Sequence, residues 1–464
     1  MFKASFFLVL AFILLDSCQK QSNLNGNAIL LSSTDSVYFD TVFTTVGAVT
    51  QQIKIINPNN TGIGISSITL VGGSNSPFVI NIDGLPGPAA SNLNIQANDS
   101  LYIFVTVLIK PGTTLSAFIL EDSIRISYNG NDKIIKLSAW GQNAHFLKNQ
   151  VISGNTSWPN DLPYVIYGGL RIDSNVTLTI LPGTHIYMHA DAPIYVDGSL
   201  IVLGDSGTSR LVNFTGDRLD QPYANYPGSW PGIYFRESSK DNVLNYAVFQ
   251  NGYHSLIVEA PGADLNPKLT LNQCIINNSL QEGILAIQTS IKAVNCLISN
   301  CGQNIVIALG GVYQFEFCTV ASYSNNLVSH QQPVLTVSNA GTDGVQIFTS
   351  DLNADFINCI FWGSAGIPNE ALVSKQGNTV FNVLFDHSIL KQQDYPANTD
   401  SSALWLNTNP LFIDTAGDLQ NNYNFHVQGN SPAIHNGSSS GIPIDLDGYP
   451  RPAVQPDIGS YEMQ

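Results

Sequence analysis

Two short stretches decide the fold: CIINN at residues 274–278 and CLISN at residues 296–300. Each begins with a small residue, has a large apolar residue two positions later and has Asn four positions later. The small position recurs at Ala247, Cys274, Cys296, Cys318, Cys359 and Ser388. The large apolar position holds Phe249, Ile276, Ile298, Val320, Phe361 and Leu390. The turn position holds Asn251, Asn278, Asn300, Ser322, Gly363 and Gln392.

The spacing of this pattern predicts a β-solenoid. Successive small positions are 27, 22, 22, 41 and 29 residues apart. A period near 22 with β-branched residues around it is typical of coils that stack strand on strand. We interpret the gap of 41 as two coils. The small and large positions then form two inward ladders, and Asn at the bend is expected to bond its copies in adjacent coils. Packing inside the coils explains the cysteines better than disulfides or metal binding do.

Composition limits the partners. The chain has 464 residues, of which 34 are acidic and 18 basic, so the formal net charge is −16. This charge argues against DNA, RNA or anionic lipid as a partner. Cations or neutral sugars are compatible with it. Charged residues make up 11% of the chain, which suits a solenoid whose outer faces carry Asn, Ser, Thr and Gln.

The amino-terminal residues predict export. Lys3 precedes a twelve-residue apolar run at residues 4–15, which is too short to span a bilayer. The run leads into Leu15-Asp16-Ser17-Cys18, which resembles the lipobox of bacterial lipoproteins. The resemblance implies a signal peptide at residues 1–17, lipid attachment at Cys18 and a tether over residues 18–27. It also implies an outer-membrane location, with the periplasmic or cell-surface side left open. An ordinary signal peptide is the alternative.

Residues 28–143 predict a β-sandwich. Seven candidate strands alternate apolar and polar residues, and turn sequences such as Asn129-Gly130-Asn131 separate them. Seven short strands at this spacing favour an immunoglobulin-like sandwich. The stretch resembles the Ig-like modules that precede solenoids in bacterial surface lipoproteins, which implies a role in spacing or docking.

Residues 144–464 resemble right-handed parallel β-helix proteins of the pectate-lyase-like superfamily. The motifs are Leu178-Thr179-Ile180-Leu181-Pro182-Gly183-Thr184, Val196-Asp197-Gly198-Ser199-Leu200 and a closing segment with Asn409-Pro410-Leu411-Phe412 and Pro456-Asp457-Ile458-Gly459-Ser460-Tyr461-Glu462. The resemblance implies the fold more than any activity. We expect the sandwich to shield the first coil and the tail around Trp405, Phe412 and Tyr461 to cap the last.

One loop has the densest set of side chains that could hold a ligand. It combines carboxylates, a guanidinium and aromatic rings within fourteen residues: Asp217, Arg218, Asp220, Tyr223, Tyr226 and Trp230. Aromatic faces and carboxylates are suited to sugars, and the carboxylates could also take up Ca²⁺. A salt-bridged loop that only braces the solenoid is the alternative. The sequence predicts no catalytic residues, no resident metal site and no other cofactor.

The leading functional hypothesis is a surface lipoprotein whose β-helix binds a glycan or a surface protein without catalysis. A polysaccharide lyase or glycoside hydrolase of the β-helix superfamily is the second hypothesis. A purely structural surface protein is the third. Between residues 237 and 450 the chain has no arginine and only scattered lysines, which is unfavourable for binding an anionic glycan.

Overall fold

A computed structural model describes residues 28–44, 48–110, 117–262, 266–342, 344–364, 366–417 and 423–464. The predicted signal peptide, the tether and Cys18 lie outside the described residues. The chain divides into two compact units, with the boundary between Asn143 and Ala144. No helix in the described ranges is long and apolar enough to cross a membrane.

The first unit is built from two five-stranded sheets and a 3-10 helix at Gly73–Asn75. Its strands are β1 (Leu31–Ser32), β2 (Ser36–Phe43), β3 (Gln51–Asn57), β4 (Ile63–Leu70), β5 (Phe78–Ile82), β6 (Leu85–Pro86), β7 (Ala89–Ile95), β8 (Asp99–Val107), β9 (Phe118–Tyr128) and β10 (Asn131–Gln142). One sheet has the order β1-β3-β8-β5-β6 and the other β2-β10-β9-β4-β7. All pairs are antiparallel except β2 with β10.

In the described part of this unit, one apolar core lies between the two sheets. Inward residues alternate with outward ones along each strand, as a half-buried strand requires. Ile53 and Ile103 from one sheet and Ile68 and Ile126 from the other are fully buried in the same cluster.

The second unit is a long parallel solenoid with a carboxyl-terminal tail. Its first strands are β11 (His145–Ile152), β12 (Thr156–Trp158), β13 (Tyr164–Ile172), β14 (Thr177–Ile180), β15 (His185–Met188), β16 (Ile194–Val196), β17 (Ser199–Leu203), β18 (Val212–Gly216), β19 (Ile233–Phe235), β20 (Asn242–Asn245), β21 (Ala247–Gln250), β22 (Leu256–Glu259), β23 (Leu269–Asn272), β24 (Ile275–Asn277) and β25 (Glu282–Val294). Those that follow are β26 (Leu297–Ser299), β27 (Gln303–Glu316), β28 (Thr319–Ser322), β29 (Leu335–Ser338), β30 (Ala340–Thr342), β31 (Ile347–Thr349), β32 (Leu352–Ile357), β33 (Ile360–Gly363), β34 (Ala371–Ser374), β35 (Phe381–Asp386), β36 (Ile389–Leu390), β37 (Asp400–Ser402), β38 (Trp405–Leu406), β39 (Phe412–Asp414) and β40 (Asn424–Val427). The described residues of this unit also form 3-10 helices at Thr208–Arg210 and Tyr223–Asn225.

Hydrogen bonds join 26 of these strands into one network. Most strands pair with the strand that comes three places later in the chain, as β15 does with β18. Each coil therefore contributes three strands, and the coils stack into three faces. Face one contains β15, β18, β21, β24, β26, β28, β33, β36 and β38. Face two contains β16, β19, β22, residues 284–287, residues 305–307, β29 and β34. Face three contains β14, β17, β20, β23, residues 289–294, residues 311–316, β32, β35 and β37. The predicted all-β class, antiparallel sheets followed by a parallel β-helix, is confirmed.

The predicted repeat register is confirmed on face one. Phe249 pairs with Ile276, Ile276 with Ile298, and Ile298 with Val320, so the large apolar position is a continuous ladder. All six small positions are fully buried.

The interpretation of the gap of 41 residues as two coils is wrong. Thr319 of β28 pairs directly with Ile360 of β33, so the gap is a single coil. Its extra length lies in an excursion after β28 and in the β30–β31 hairpin. The pattern could not show this because an inserted excursion and a second coil have similar lengths.

The coils turn at left-handed residues on both sides of the face-one strand. The Asn turn position has φ of 64° at Asn251, 59° at Asn278 and 53° at Asn300. Asn278 Nδ2 donates to Asn251 Oδ1 at 2.7 Å, which is the expected bond between copies. The residue before each small position is also left-handed: Tyr246, Gln273, Asn295, Phe317, Asn358 and His387. Asn and His adopt this conformation more readily than Tyr, Gln and Phe do, and the mixture of residue types at this position hid the second bend from the repeat pattern.

The cysteines are buried thiols. Cys274 Sγ donates to the Leu244 carbonyl at 3.2 Å, and its ladder neighbours make similar bonds. Burial raises the pKa of Cys296, Cys318 and Cys359 well above the usual value, and that of Cys301 to about 11. A thiol that stays protonated is a poor nucleophile and a poor metal ligand.

The tail packs along the side of the solenoid. Phe412, Phe425 and Tyr461 share a buried cluster with the outward residues Leu297 and Ile360 of face one. Hydrogen bonds tie the tail to the coils: for example, the Gly459 N–H donates to the Asn358 carbonyl, and the Asn295 side-chain Nδ2 donates to the Ile444 carbonyl. The expectation that Phe412 and Tyr461 cap the last coil therefore needs correction, because they cover a lateral face.

Candidate functional site

The candidate loop lies between β18 and β19, at the corner where face one turns into face two. The Asn ladder holds it in place. Asn251 Nδ2 donates to the Ala224 carbonyl at 2.8 Å, and Asn278 Nδ2 donates to the Asn225 carbonyl at 3.0 Å. The ladder therefore fixes the loop against two successive coils.

Asp217 faces the solenoid wall. Its Oδ2 lies 2.8 Å from Nδ1 of His189, and its side chain is 11% exposed. The His189 ring in turn lies 5.2 Å from the Tyr167 ring. Burial raises the pKa of Asp217, and burial with the nearby Asp217 charge raises the pKa of Tyr167 to about 12. These three residues brace the start of the loop.

Arg218 and Asp220 form a bidentate ion pair with each other. The guanidinium donates from Nε at 2.7 Å and from Nη2 at 2.8 Å, and this pairing holds the pKa of Asp220 below its usual value. The same guanidinium lies 4.1 Å from the Tyr223 ring centroid. The Tyr223 and Tyr226 rings meet edge to face at 5.3 Å. Of the six candidate residues, these two tyrosines present the most open aromatic surface, 44% and 37% exposed.

The prediction that Trp230 contacts a ligand is wrong. Its side chain is fully buried in the core of the solenoid, and its Nε1–H donates to the Gln250 carbonyl at 2.8 Å. A large apolar residue that follows a polar loop can begin the next coil, and the sequence around Trp230 does not distinguish that role from ligand contact.

The structure shows a second candidate on face three that the sequence reasoning missed. A groove of about 390 Å³ crosses the outer surface of residues 288–292 and 311–314. Pro261 and Pro267 line it from the corner loop on one side, and Ser350 and Asp351, the two residues before β32, line it on the other. Mixed apolar and polar walls of this kind suit a small polar ligand.

The floor of the groove carries two unused polar side chains. Lys292 and Gln314 are directly paired neighbours on one outward ladder. Neither side chain makes a hydrogen bond or ion pair with a described residue. Val312, 59% exposed, supplies an apolar floor beside them. Alternation within β25 and β27 predicts which residues face outward, but no sequence signal marked this ladder among the others.

Glycine shapes the edge of the floor. Gly311 has φ of 122°, and a Cβ at this position would lie 2.2 Å from the Thr289 carbonyl oxygen. Any other residue would push the neighbouring coils apart. The buried Tyr313 stabilises the bend at Gly310 and Gly311 from the inside of the solenoid, because its hydroxyl donates to the Gly310 carbonyl at 2.9 Å.

The groove walls are mostly neutral. Gln288 Nε2 donates to Ser350 Oγ at 3.1 Å. Among the described lining residues Asp351 is the one carboxylate, and its Oδ1 already accepts the Val380 N–H at 2.9 Å. Nowhere in the described ranges do three or more His, Cys, Asp or Glu side chains form a cluster that could hold a metal ion.

No family model and no curated protein matches the sequence. Among solved structures, a family 123 glycoside hydrolase from Clostridium perfringens is 12% identical over 24% of this chain, with a TM-score of 0.18. The match spans about a quarter of that hydrolase, 26% of its chain. A PapD-like domain of human CEP192 is 8% identical over 27% of this chain and 92% of its own, with a TM-score of 0.18. A protein of unknown function from Porphyromonas gingivalis is 7% identical over 27% of this chain and 60% of its own, with a TM-score of 0.19.

Proposed function

We propose that this protein is a lipid-anchored outer-membrane protein that holds a neutral or weakly charged glycan in the face-three groove without cleaving it. The observation that carries the proposal is the unused pair Lys292 and Gln314 beside the exposed Val312. An ammonium and an amide supply donors and an acceptor for sugar hydroxyls, and the valine supplies an apolar contact for the C–H face of the ring.

Binding is favoured over hydrolysis by the carboxylates of the groove. Glycoside hydrolysis requires two carboxyl groups about 5–10 Å apart, one of them free to act on the sugar. The described lining residues provide one carboxylate, Asp351, and no second one to act with it.

The remaining parts of the proposal concern anchoring. Lipid at Cys18 would hold the chain at the membrane through the tether, and residues 28–143 would act as an Ig-like spacer or docking module. The two-sheet sandwich with a single core supports that assignment. A surface protein as partner, or a purely structural role, would leave the groove without a sugar ligand.

Affinity electrophoresis through gels containing soluble xylan, galactomannan, mixed-linkage β-glucan or dextran tests the proposal. The full chain carrying Cys18→Ala is expected to be retarded by at least one of them. Lys292→Ala with Gln314→Ala should weaken that retardation roughly tenfold or more, because two hydrogen-bonding groups are lost. Thr270→Ala is the matched control, since Thr270 precedes Lys292 on the same ladder and does not line the groove.

Retention of full binding by the double variant would refute the groove as the site. Release of reducing sugar from the retained polysaccharide, removed by Asp351→Asn, would show the enzyme instead. Repeating the gels with EDTA tests Ca²⁺: loss of retardation would show that the ion bridges the ligand.

A further inference from the structure

The first unit presents an aromatic platform on the outer face of one of its sheets. Tyr102 and Phe104 are two apart on β8, the central strand of the sheet β1-β3-β8-β5-β6. Both point outward, because Leu101, Ile103 and Val105 between and beside them are buried in the core. The two rings lie 6.4 Å apart and differ in plane by only 22°.

Amide side chains flank Phe104 on both sides. Gln52 of β3 and Asn81 of β5 are each directly opposite Phe104 in the register. Directly opposed residues place their Cβ atoms about 5 Å apart, so both amides can reach a group lying on the Phe104 ring. Gln52 makes no side-chain hydrogen bond with a described residue. Asn81 uses only Oδ1, which accepts the Gly84 N–H at 2.9 Å.

We propose that this platform is a second binding site, for the pyranose ring of a neutral glycan. The apolar C–H face of the sugar stacks on Phe104, 38% exposed, and the hydroxyls at the ring edge bond the amides of Gln52 and Asn81. Tyr102 supports the adjoining sugar, with Lys54 Nζ 5.8 Å from its ring centroid. The site lies on a different unit from the groove and does not depend on it.

Size and unused hydrogen-bonding groups favour a sugar over a protein partner. Three strands span roughly 10 Å and two residues along a strand roughly 7 Å. The four platform residues therefore cover roughly 70 Å², whereas each partner of a stable protein interface buries ~800 Å². Unused amides at the centre of a protein interface would also have to find matched partners. A hydroxyl-rich ring meets both requirements within this small area.

The same four polysaccharide gels test the platform, with the full chain carrying Cys18→Ala and the variant Phe104→Ala. We expect retardation by at least one polysaccharide and a weakening of roughly tenfold or more in the variant. Tyr38→Ala is the matched control, since Tyr38 is 54% exposed on β2 of the other sheet. Gln52→Ala, an exposed polar change that leaves the rings in place, should weaken binding by roughly two- to tenfold.

The outcomes separate this site from the groove. If Phe104→Ala and Gln52→Ala both bind as the parent does, or no polysaccharide retards the parent, the platform is refuted. If only the Lys292/Gln314 variant loses binding, the platform is refuted and the groove is supported. If only Phe104→Ala loses binding, the groove is refuted and the platform is supported. Concentration-dependent dimerisation in sedimentation velocity that Phe104→Ala abolishes would identify a second copy as the occupant and refute the sugar.

Discussion

Replacement of Arg451 by Met should release the tail from the solenoid. The Arg451 side chain is fully buried and donates from Nη1 to Glu462 Oε2 at 2.8 Å and from Nη2 to the Gly459 carbonyl at 2.8 Å. It also bonds Asn295 Oδ1 of the coils at 3.1 Å and lies 4.1 Å from the Phe317 ring centroid. Met fills much of the volume but leaves the Glu462 carboxylate without its cation.

Breaking one partner of a buried ion pair costs about 3–5 kcal/mol. Arg210→Met is the matched control: Arg210 pairs with Asp205 at 2.7 Å, but both side chains are about half exposed, so the expected cost is about 0–1 kcal/mol. Urea titration followed by tryptophan fluorescence measures both, because Trp362 is buried in the cluster that the tail covers. Arg451→Met should show an early red shift that the control lacks.

The pH dependence gives a second check. Burial already raises the pKa of Glu462 in the folded protein above its unfolded value, and loss of Arg451 raises it further. Between the unfolded-state pKa and the higher folded-state pKa of Glu462, the folded protein binds more protons than the unfolded chain does. The free energy of unfolding therefore falls as the pH rises through this range. The Arg451→Met tail should therefore regain part of its stability as the pH is lowered from 7 towards 5. Equal losses in Arg451→Met and Arg210→Met, at every pH, would refute this account of the tail.

Three further outcomes are expected. Trp230→Ala should lower the free energy of unfolding by about 3–5 kcal/mol and leave glycan retardation unchanged, since the residue is fully buried; loss of binding at unchanged stability would contradict its placement. A bulky maleimide should not label Cys274, Cys296, Cys318 or Cys359 until urea unfolds the chain, and rapid labelling of native protein would contradict their burial. Cys18→Ala should move the protein from the membrane fraction to the soluble fraction or leave it unprocessed, whereas unchanged fractionation with no acyl label on the parent would exclude the anchor.

The parts of the fold that the sequence predicted are those that repeat. Cys274 and Cys296 occupy equivalent places in successive coils, so each confirms the other, and the interior tolerates only small residues there. The tail is different, because its motif occurs once. The motif Pro456-Asp457-Ile458-Gly459-Ser460-Tyr461-Glu462 showed a resemblance but no position. Its place depends on hydrogen bonds to Asn358 and Thr319, more than a hundred residues earlier. No local pattern encodes such a contact.

The candidate loop shows the same limit in a functional setting. Sequence proximity placed Asp217, Arg218 and Trp230 in one set, but a loop that leaves one coil and enters the next points its members in different directions. Asp217 contacts His189 of the preceding coil, and Arg218 pairs with Asp220 of the same loop. Trp230 is buried in the core. Residues that share a surface in a solenoid are instead about one coil apart in sequence, as Lys292 and Gln314 are. A binding surface in such a chain is therefore encoded by outward positions that recur at the coil period, where polar side chains of neighbouring coils lie side by side.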